Sequence, residues 1–190
     1  WNPFVPLISA VNNKKQRKLY FVWFLFNIIA VSGNSIFALY LAKTFGFNAF
    51  TSGIAFMLVG IILAINQGFL MKKFWLEYFE ESTLIYLMLT LFSLGYLIVS
   101  IPLVAFFVIG VICNAFGQSV LNVVMTSVIV GESSQHEHGE SLGVLSSVSS
   151  AATILAPLLA GWLFQYHQSL PYYLGSALGI ACLVLLSTYK

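Results

Sequence analysis

Four polar side chains recur at intervals of four residues within one long apolar stretch: Asn114, Gln118, Asn122 and Thr126. Positions four apart lie on one face of an α-helix, so these side chains form a single, slowly drifting stripe. Carboxamides both donate and accept hydrogen bonds without carrying charge. At membrane depth such groups are costly unless they meet partners or water. Two interpretations stay open: a polar wall that binds a substrate, or hydrogen bonds that join neighbouring helices.

A second apolar stretch places Asn27 and Asn34 seven residues apart, and therefore on one helix face. We predict that these two amides join Asn114, Gln118 and Asn122 as the hydrogen-bonding groups of a substrate cavity. Asn66 and Gln67 stand near the end of another stretch. Their position is more typical of a helix cap, or of pairing with the following loop, than of substrate binding.

Two further stretches carry small residues. Gly53, Gly60, Ala64 and Gly68 give one stretch a small-residue face, which predicts close helix packing. Another stretch is rich in serine, and its proline removes a backbone hydrogen bond and kinks the helix. We predict that a bend in this helix serves gating, with plain packing as the alternative. The gating candidates are Ser150, Thr153, Pro157 and Gly161.

Aspartate, glutamate, lysine, arginine and histidine are absent from the interior of every apolar stretch. The histidines stand between the stretches, so a serine–histidine dyad has no base within reach at membrane depth. We therefore expect a protein that is not an enzyme and that needs no metal and no cofactor. One loop cluster of histidines and glutamates is assigned to solvent rather than to a metal ion: Glu132, His136, Glu137, His138 and Glu140.

Six apolar stretches carry all these residues and fill nearly the whole chain of 190 residues. Charged residues make up only 7% of the sequence, whereas soluble domains carry about 25%. About 20 apolar residues cross a bilayer core as a helix, and hydrocarbon leaves an unpaired backbone amide without a partner. The sequence predicts an all-α membrane protein with transmembrane helices near residues 19–42, 50–71, 83–101, 104–130, 142–165 and 171–188.

The placement of basic residues predicts the topology, because they mark the cytoplasmic side. They precede the first span and follow the second and the sixth, and only Lys43 falls on the other side. We expect both ends to be cytoplasmic. Residues 1–18 are expected to form a linker and a basic anchor that contacts anionic lipid rather than nucleic acid. Residues 19–190 are expected to form the transmembrane bundle. The cytoplasmic basic residues are Lys14, Lys15, Arg17, Lys18, Lys72, Lys73 and Lys190.

The spans differ in character. Spans one, two, four and five carry amides, hydroxyls and glycines, whereas spans three and six are nearly featureless and are expected to face lipid. Two decorated spans followed by a plain one occur twice along the chain. This rhythm predicts a three-plus-three inverted repeat, an arrangement common in secondary transporters.

Residues 66–82 and 131–165 resemble the second half of a major facilitator superfamily transporter, especially its drug:proton antiporter branch. The first range is similar to the loop between helices eight and nine, and the second to the start and body of helix eleven, ending in Ala156–Gly161. In both loops this chain has glutamate or histidine at positions where the family favours basic residues or glycine. The motif residues of the two cytoplasmic loops are Gly68, Lys72, Lys73, Glu137 and Gly139.

The resemblance assigns the six spans to helices seven to twelve. It implies half of a twelve-helix fold, with a missing N-terminal six-helix half, in the lipid bilayer of a bacterial inner membrane. The expected function is secondary active transport of a small, uncharged or amphipathic molecule by alternating access, as proton-coupled export. The alternative is a non-transporting scaffold or sensor subunit, whose docking surfaces would be the acidic loop residues Glu77, Glu80, Glu132 and Glu140.

Overall fold

The computed structural model describes residues 14–132 and 138–187, and six long helices account for nearly all of them. Every one of the six is long and apolar enough to cross a membrane, and the described residues contain no strand. The predicted all-α membrane fold with six spans is confirmed. The helices are α1 Lys14–Phe45, α2 Ala49–Tyr78, α3 Glu81–Val99, α4 Val104–Gly131, α5 His138–Tyr166 and α6 Leu170–Ser187.

The helix ends follow local chemistry. Gly46 adopts a φ of 69°, which favours glycine, just after the end of α1. Asn48 then caps α2, because its side-chain oxygen accepts a hydrogen bond from the Thr51 amide at 2.9 Å. At its other end α1 extends into the segment predicted to be a linker. Lysine, glutamine and arginine are good helix formers, so the basic run continues the helix back to Lys14.

The second span changes its hydrogen-bond pattern part-way along. It is α-helical over Ala49–Ile65, π-helical over Asn66–Trp75, and closes with one α-helical turn. Asn66 at the change is fully buried, and its side-chain oxygen accepts a hydrogen bond from the Trp75 indole N–H at 2.7 Å. The prediction that Asn66 pairs with the following segment is thus confirmed. That segment itself was expected to be a loop, but it continues the helix to Tyr78.

Three glycines allow α3 and α4 to pack with their backbones close together. A Cβ added at Gly110 would lie 2.8 Å from the Gly95 carbonyl oxygen and 2.8 Å from the Val99 amide nitrogen. A Cβ added at Gly117 would lie 3.1 Å from the Met88 carbonyl oxygen. Small residues let membrane helices approach in this way. The backbones of α3 and α4 are therefore in close contact along this crossing.

Spans three and six, expected to face lipid, do so along only one face. In the most apolar 18-residue stretch of α3, 50% of the residues are buried in the bundle, whereas the corresponding share in α2 is 11%. Gly175 and Gly179 of α6 lie against Tyr96 and Ser93 of α3, so the two plain spans pack on each other. Their aliphatic and aromatic side chains fill the core, which a polar span could not do without leaving its hydrogen-bonding groups unsatisfied.

The small-residue face of α2 does not pack within the six helices. A Cβ added at Gly53, Gly60 or Gly68 would meet no atom within 4 Å. This face has no packing partner among the described helices, and close packing there stays a prediction. The glycines that do bring helices together lie on α1, α3, α4 and α6.

Two buried tyrosines tie α1 to α3. The Tyr40 hydroxyl donates to the Val99 carbonyl oxygen at 2.8 Å, and the Tyr96 hydroxyl donates to the Ile29 carbonyl oxygen at 2.8 Å. Val99 is the last residue of α3, where a helix leaves carbonyl groups without intrahelical partners. Tyr40 therefore satisfies one of these terminal carbonyls from a neighbouring helix.

Replacing Tyr40 by phenylalanine is expected to destabilise the protein by about 1–2 kcal/mol, because the buried Val99 carbonyl loses its donor. Tyr172→Phe is the matched control. Its ring lies 4.7 Å from that of Tyr40 in the same aromatic cluster, but its hydroxyl has no hydrogen-bond partner. That variant should be as stable as the parent or slightly more stable. Thermal unfolding of the purified variants in detergent measures both effects, and equal losses would contradict the assignment.

Candidate functional site

A small polar recess opens between α1, α2, α3, α4 and α6. Asn34, Asn114 and Gln118 line it, and its volume is about 40 Å³. One water needs about 10–15 Å³ on this measure, whereas drug-sized ligands occupy pockets of about 300–1,000 Å³. The recess therefore takes a few waters or one polar group of a larger molecule. Its other walls include Phe37, Val59, Tyr96 and Val111.

Two buried polar atoms of the recess residues have no hydrogen-bond partner among the described residues. They are the Asn114 side-chain oxygen, which can only accept, and the Tyr172 hydroxyl, which can donate or accept. Leaving a buried polar group unsatisfied costs about 1–3 kcal/mol. A molecule that brings both a donor and an acceptor into the recess would recover part of that cost.

Glycines on the neighbouring helices make room for this arrangement. A Cβ added at Gly95 would lie 3.1 Å from the backbone nitrogen of Asn114 and 3.1 Å from its side-chain Cγ. On α1, a Cβ added at Gly33 would collide with the Tyr96 hydroxyl group. The amide stripe of α4 is thus held against α3, and α1 closes over Tyr96, because neither glycine carries a side chain.

The structure divides the five predicted cavity amides. Asn34, Asn114 and Gln118 share the recess, whereas Asn27 and Asn122 do not line it. Asn27 uses its side-chain N–H to donate to the Trp23 carbonyl oxygen of its own helix, at 2.8 Å. Asn122 is one turn beyond Gln118. A role in substrate binding stays a prediction for all five.

Tyr172 belongs to the recess although the sequence pointed away from it. It follows Pro171 at the start of span six, which was expected to be a plain, lipid-facing span. The chain contains 17 phenylalanines and 9 tyrosines, so one more aromatic residue gives no signal. The packing of α6 on α3 brings Tyr172 into the recess that Asn114 also lines.

The four gating candidates lie on α5 and outside the recess. Ser150 and Thr153 each donate a hydroxyl back to their own helix, at 2.9 Å. Pro157 interrupts α5 from within, and a Cβ added at Gly161 would meet nothing within 4 Å. Nothing in these contacts opposes a bend, and the gating role stays a prediction.

Two hydrogen bonds attach α5 to α1 just before the proline. The Trp23 indole N–H donates to the Ser149 hydroxyl at 2.9 Å, and the Ser32 hydroxyl donates to the Ala156 carbonyl oxygen at 3.2 Å. The segment of α5 between Ser149 and Ala156 is therefore fixed to the helix that carries Asn34. Any bend at Pro157 would move the rest of α5 relative to that fixed segment.

The described residues of the two loop motifs lie on α2 and α5. Gly68, Lys72 and Lys73 are exposed on the π-helical part of α2, and Gly139 is exposed in the first turn of α5. Glu137 and His136 fall outside the described residues, so their contacts are not assigned. The described motif residues do not touch the recess.

Comparison with known proteins places this arrangement in a family. Residues 69–190 match the model of the Major Facilitator Superfamily. The chain is 27% identical over 172 residues to Multidrug resistance protein 1 of Bacillus subtilis (strain 168), a match that covers 86% of this chain and 43% of that protein. Its fold is similar to the crystal structure of the human organic anion transporter MFSD10 (TETRAN), with a TM-score of 0.82 and 22% identity, over 90% of this chain and 40% of that one.

The chain therefore spans less than half the length of each of these two proteins. The likeness to the human structure, at 22% identity, shows the fold. The family model, in contrast, covers well over half of the residues, from the end of α2 through α6. On that match, this six-helix chain belongs to the major facilitator superfamily.

Proposed function

We propose that the chain forms half of a secondary active transporter that moves small, uncharged or amphipathic molecules by alternating access. The observation that carries the proposal is the recess in which Asn34, Asn114 and Gln118 meet. These amides are uncharged, and the unpartnered atoms of Asn114 and Tyr172 offer one acceptor and one donor. Aromatic walls beside them suit a ligand with both polar and apolar surface.

The open faces of α2 and α5 support a second six-helix half. In the most apolar 18-residue stretches of α2 and α5, only 11% and 22% of the residues are buried in the six-helix bundle. Added Cβ atoms at Gly60 of α2 and Gly143 of α5 would meet nothing within 4 Å. A partner of similar size would cover these faces and would turn the shallow recess into one side of a deep cavity. The matched proteins are long enough to contain such a half.

Export coupled to protons is the finer part of the proposal. It is supported by the resemblance to the drug:proton antiporter branch and by the word "multidrug" in the name of the Bacillus relative. The described acidic residues stand at helix ends rather than within the spans. Proton-carrying groups would therefore come from the partner half. The helix ends that carry basic residues are proposed to face the cytoplasm, with the protein in a bacterial inner membrane.

Everted membrane vesicles that contain the protein with its proposed N-terminal half test the function. On energisation they should accumulate Hoechst 33342, an amphipathic dye, or chloramphenicol, an uncharged drug. Nigericin, which collapses the pH gradient, should abolish the accumulation. If neither compound moves and the protein instead co-purifies in fixed stoichiometry with another membrane protein, the scaffold alternative replaces the transport proposal.

A further inference from the structure

The last part of α2 carries an uncommon backbone pattern. Its residues Asn66–Trp75 form a π-helix of 10 residues. π-Helices are rare and mostly extend over a single turn, often at functional sites. A longer stretch therefore needs side-chain contacts that stabilise it against the ordinary α-helix. None of its residues lines the polar recess, so the proposed substrate site does not explain it.

The hydrogen bond between Asn66 and Trp75 depends on this winding. The two residues are 9 positions apart. In an α-helix, with about 3.6 residues per turn, they would be about 2.5 turns apart and would point in opposite directions. A π-helix bonds each residue to the fifth one along and has roughly 4.4 residues per turn, so the same two residues are about two turns apart and share a face. The 2.7 Å bond from the indole N–H to the amide oxygen therefore requires the π-helical form.

The burial of α2 changes its period at the same residue. Up to Asn66, buried and half-buried positions recur every three or four residues, as on one face of an α-helix. Beyond Asn66 they recur every four or five residues. The face of α2 that packs on the bundle is therefore continuous because the winding changes. Its positions are Ser52, Ala55, Val59, Ile62, Asn66, Met71 and Trp75.

Asn66 also attaches this face to α4. Its fully buried side chain donates a long hydrogen bond, of 3.5 Å, to the Phe116 carbonyl oxygen. Val59 lies seven residues before Asn66 on the same α-helical face, and it is a wall of the recess. Asn66 is thus a positioning residue, because it holds the helix that carries this wall.

We propose that Asn66 and Trp75 form a latch on a segment with two states. With the latch closed, the segment is π-helical and Trp75 packs against the core of the bundle. With the latch open, the segment returns to the more common α-helix. Trp75 then turns outward, and Lys73, about two α-helical turns after Asn66, turns toward α4. The opening rotates the end of α2 and loosens the wall that Val59 forms. The two states are a property of α2, and the inference does not rest on the transport proposal.

Thiol labelling of the purified protein in lipid nanodiscs, with its proposed N-terminal half, tests the latch. Cys113 and Cys182 are replaced by alanine, a single cysteine is introduced by Lys73→Cys, and its rate of reaction with a polar maleimide is measured. Trp75→Phe keeps an aromatic ring but removes the indole N–H, which leaves the buried Asn66 oxygen without its donor. This change should open the latch and lower the labelling rate at least about fivefold, because the rate follows exposure of the thiol.

Lys72→Cys is the matched control. Lys72 and Lys73 are both exposed. Lys72 stands six residues after Asn66, which is about 1.7 turns in an α-helix and about 1.4 turns in a π-helix, so it faces away from Asn66 in both forms. Its labelling rate should change less than about twofold when Trp75→Phe is introduced.

A second variant, Asn66→Ala, removes the acceptor and should give the same pattern, and the double variant should add nothing to it. Trp75→Phe carries the test alone if Asn66→Ala does not fold. Faster labelling at both lysine positions would show that the segment only frays, and would overturn the two-state winding. Unchanged rates at both positions would overturn the latch. Labelling needs no substrate, so its failure leaves the transport proposal standing, and failure of transport in vesicles leaves the latch standing.

Discussion

Replacing Gln118 by alanine should lower the rate of substrate transport about tenfold and should leave membrane insertion intact. Gln118 lines the recess and is only half-buried, so its amide can reach a molecule in the cavity. A hydrogen bond to a neutral group contributes about 0.5–1.5 kcal/mol, so losing two of them changes binding about 5- to 150-fold. Asn114→Ala should have a similar effect. Initial rates in everted vesicles, normalised to the amount of inserted protein, measure it.

Asn122→Ala is the matched control for this prediction. Asn122 has the same chemistry and lies on the same helix one turn from Gln118, but it does not line the recess. The sequence alone groups it with Asn114 and Gln118, whereas the structure predicts a change of less than about twofold, since no recess hydrogen bond is lost. If the Asn122 variant loses as much transport as the Gln118 variant, the binding surface extends along the whole stripe. If neither variant changes transport, the amides join helices and do not bind substrate.

The class of the fold and part of the site follow from local patterns. Long apolar stretches require helices in a bilayer whatever the neighbouring chain does, which is why the six spans could be predicted. The four-residue spacing of Asn114 and Gln118 places both on one face of any helix. Local patterns do not establish that Asn34 lines the same recess as Asn114 and Gln118, because this depends on how α1 packs beside α4.

Other residues show where local patterns fail. Asn27 has the right residue type and spacing, but its side chain donates to the Trp23 carbonyl oxygen of its own helix. A local hydrogen bond of this kind competes with any distant partner, and the sequence does not reveal which one wins. Tyr172 shows the converse, since its place in the recess with Asn114 depends on how α6 packs on α3.

Glycine gives the clearest example. The regular run of Gly53, Gly60 and Gly68 predicted close packing, yet these residues face open space in the six-helix bundle. Gly95 and Gly110 form no recognisable motif within either helix, yet they bring two backbones together. Close approach requires small residues on two helices at the same height, so it is a property of the pair. A single helix in a sequence cannot display it.

Gly110→Ala should therefore destabilise the protein by about 2–3 kcal/mol, the cost of forcing extra volume into a packed core. Two of the three atoms nearest to the added Cβ are backbone atoms of α3, the Gly95 oxygen and the Val99 nitrogen, each 2.8 Å away. Backbone atoms in a helix cannot move aside as a flexible side chain can. The measurement is the midpoint of thermal unfolding in detergent.

Gly131→Ala on the same helix supplies the control with the opposite expectation. A Cβ there meets nothing within 4 Å, so the higher helix propensity of alanine should leave stability unchanged or raise it by up to about 1 kcal/mol. A Gly110 variant as stable as Gly131→Ala would contradict the close α3–α4 crossing. The crossing also positions the site, because Gly95 contacts both Gly110 and Asn114. Forcing the helices apart should therefore shift Asn114 and lower transport in the surviving folded protein, whereas Gly131→Ala should transport normally.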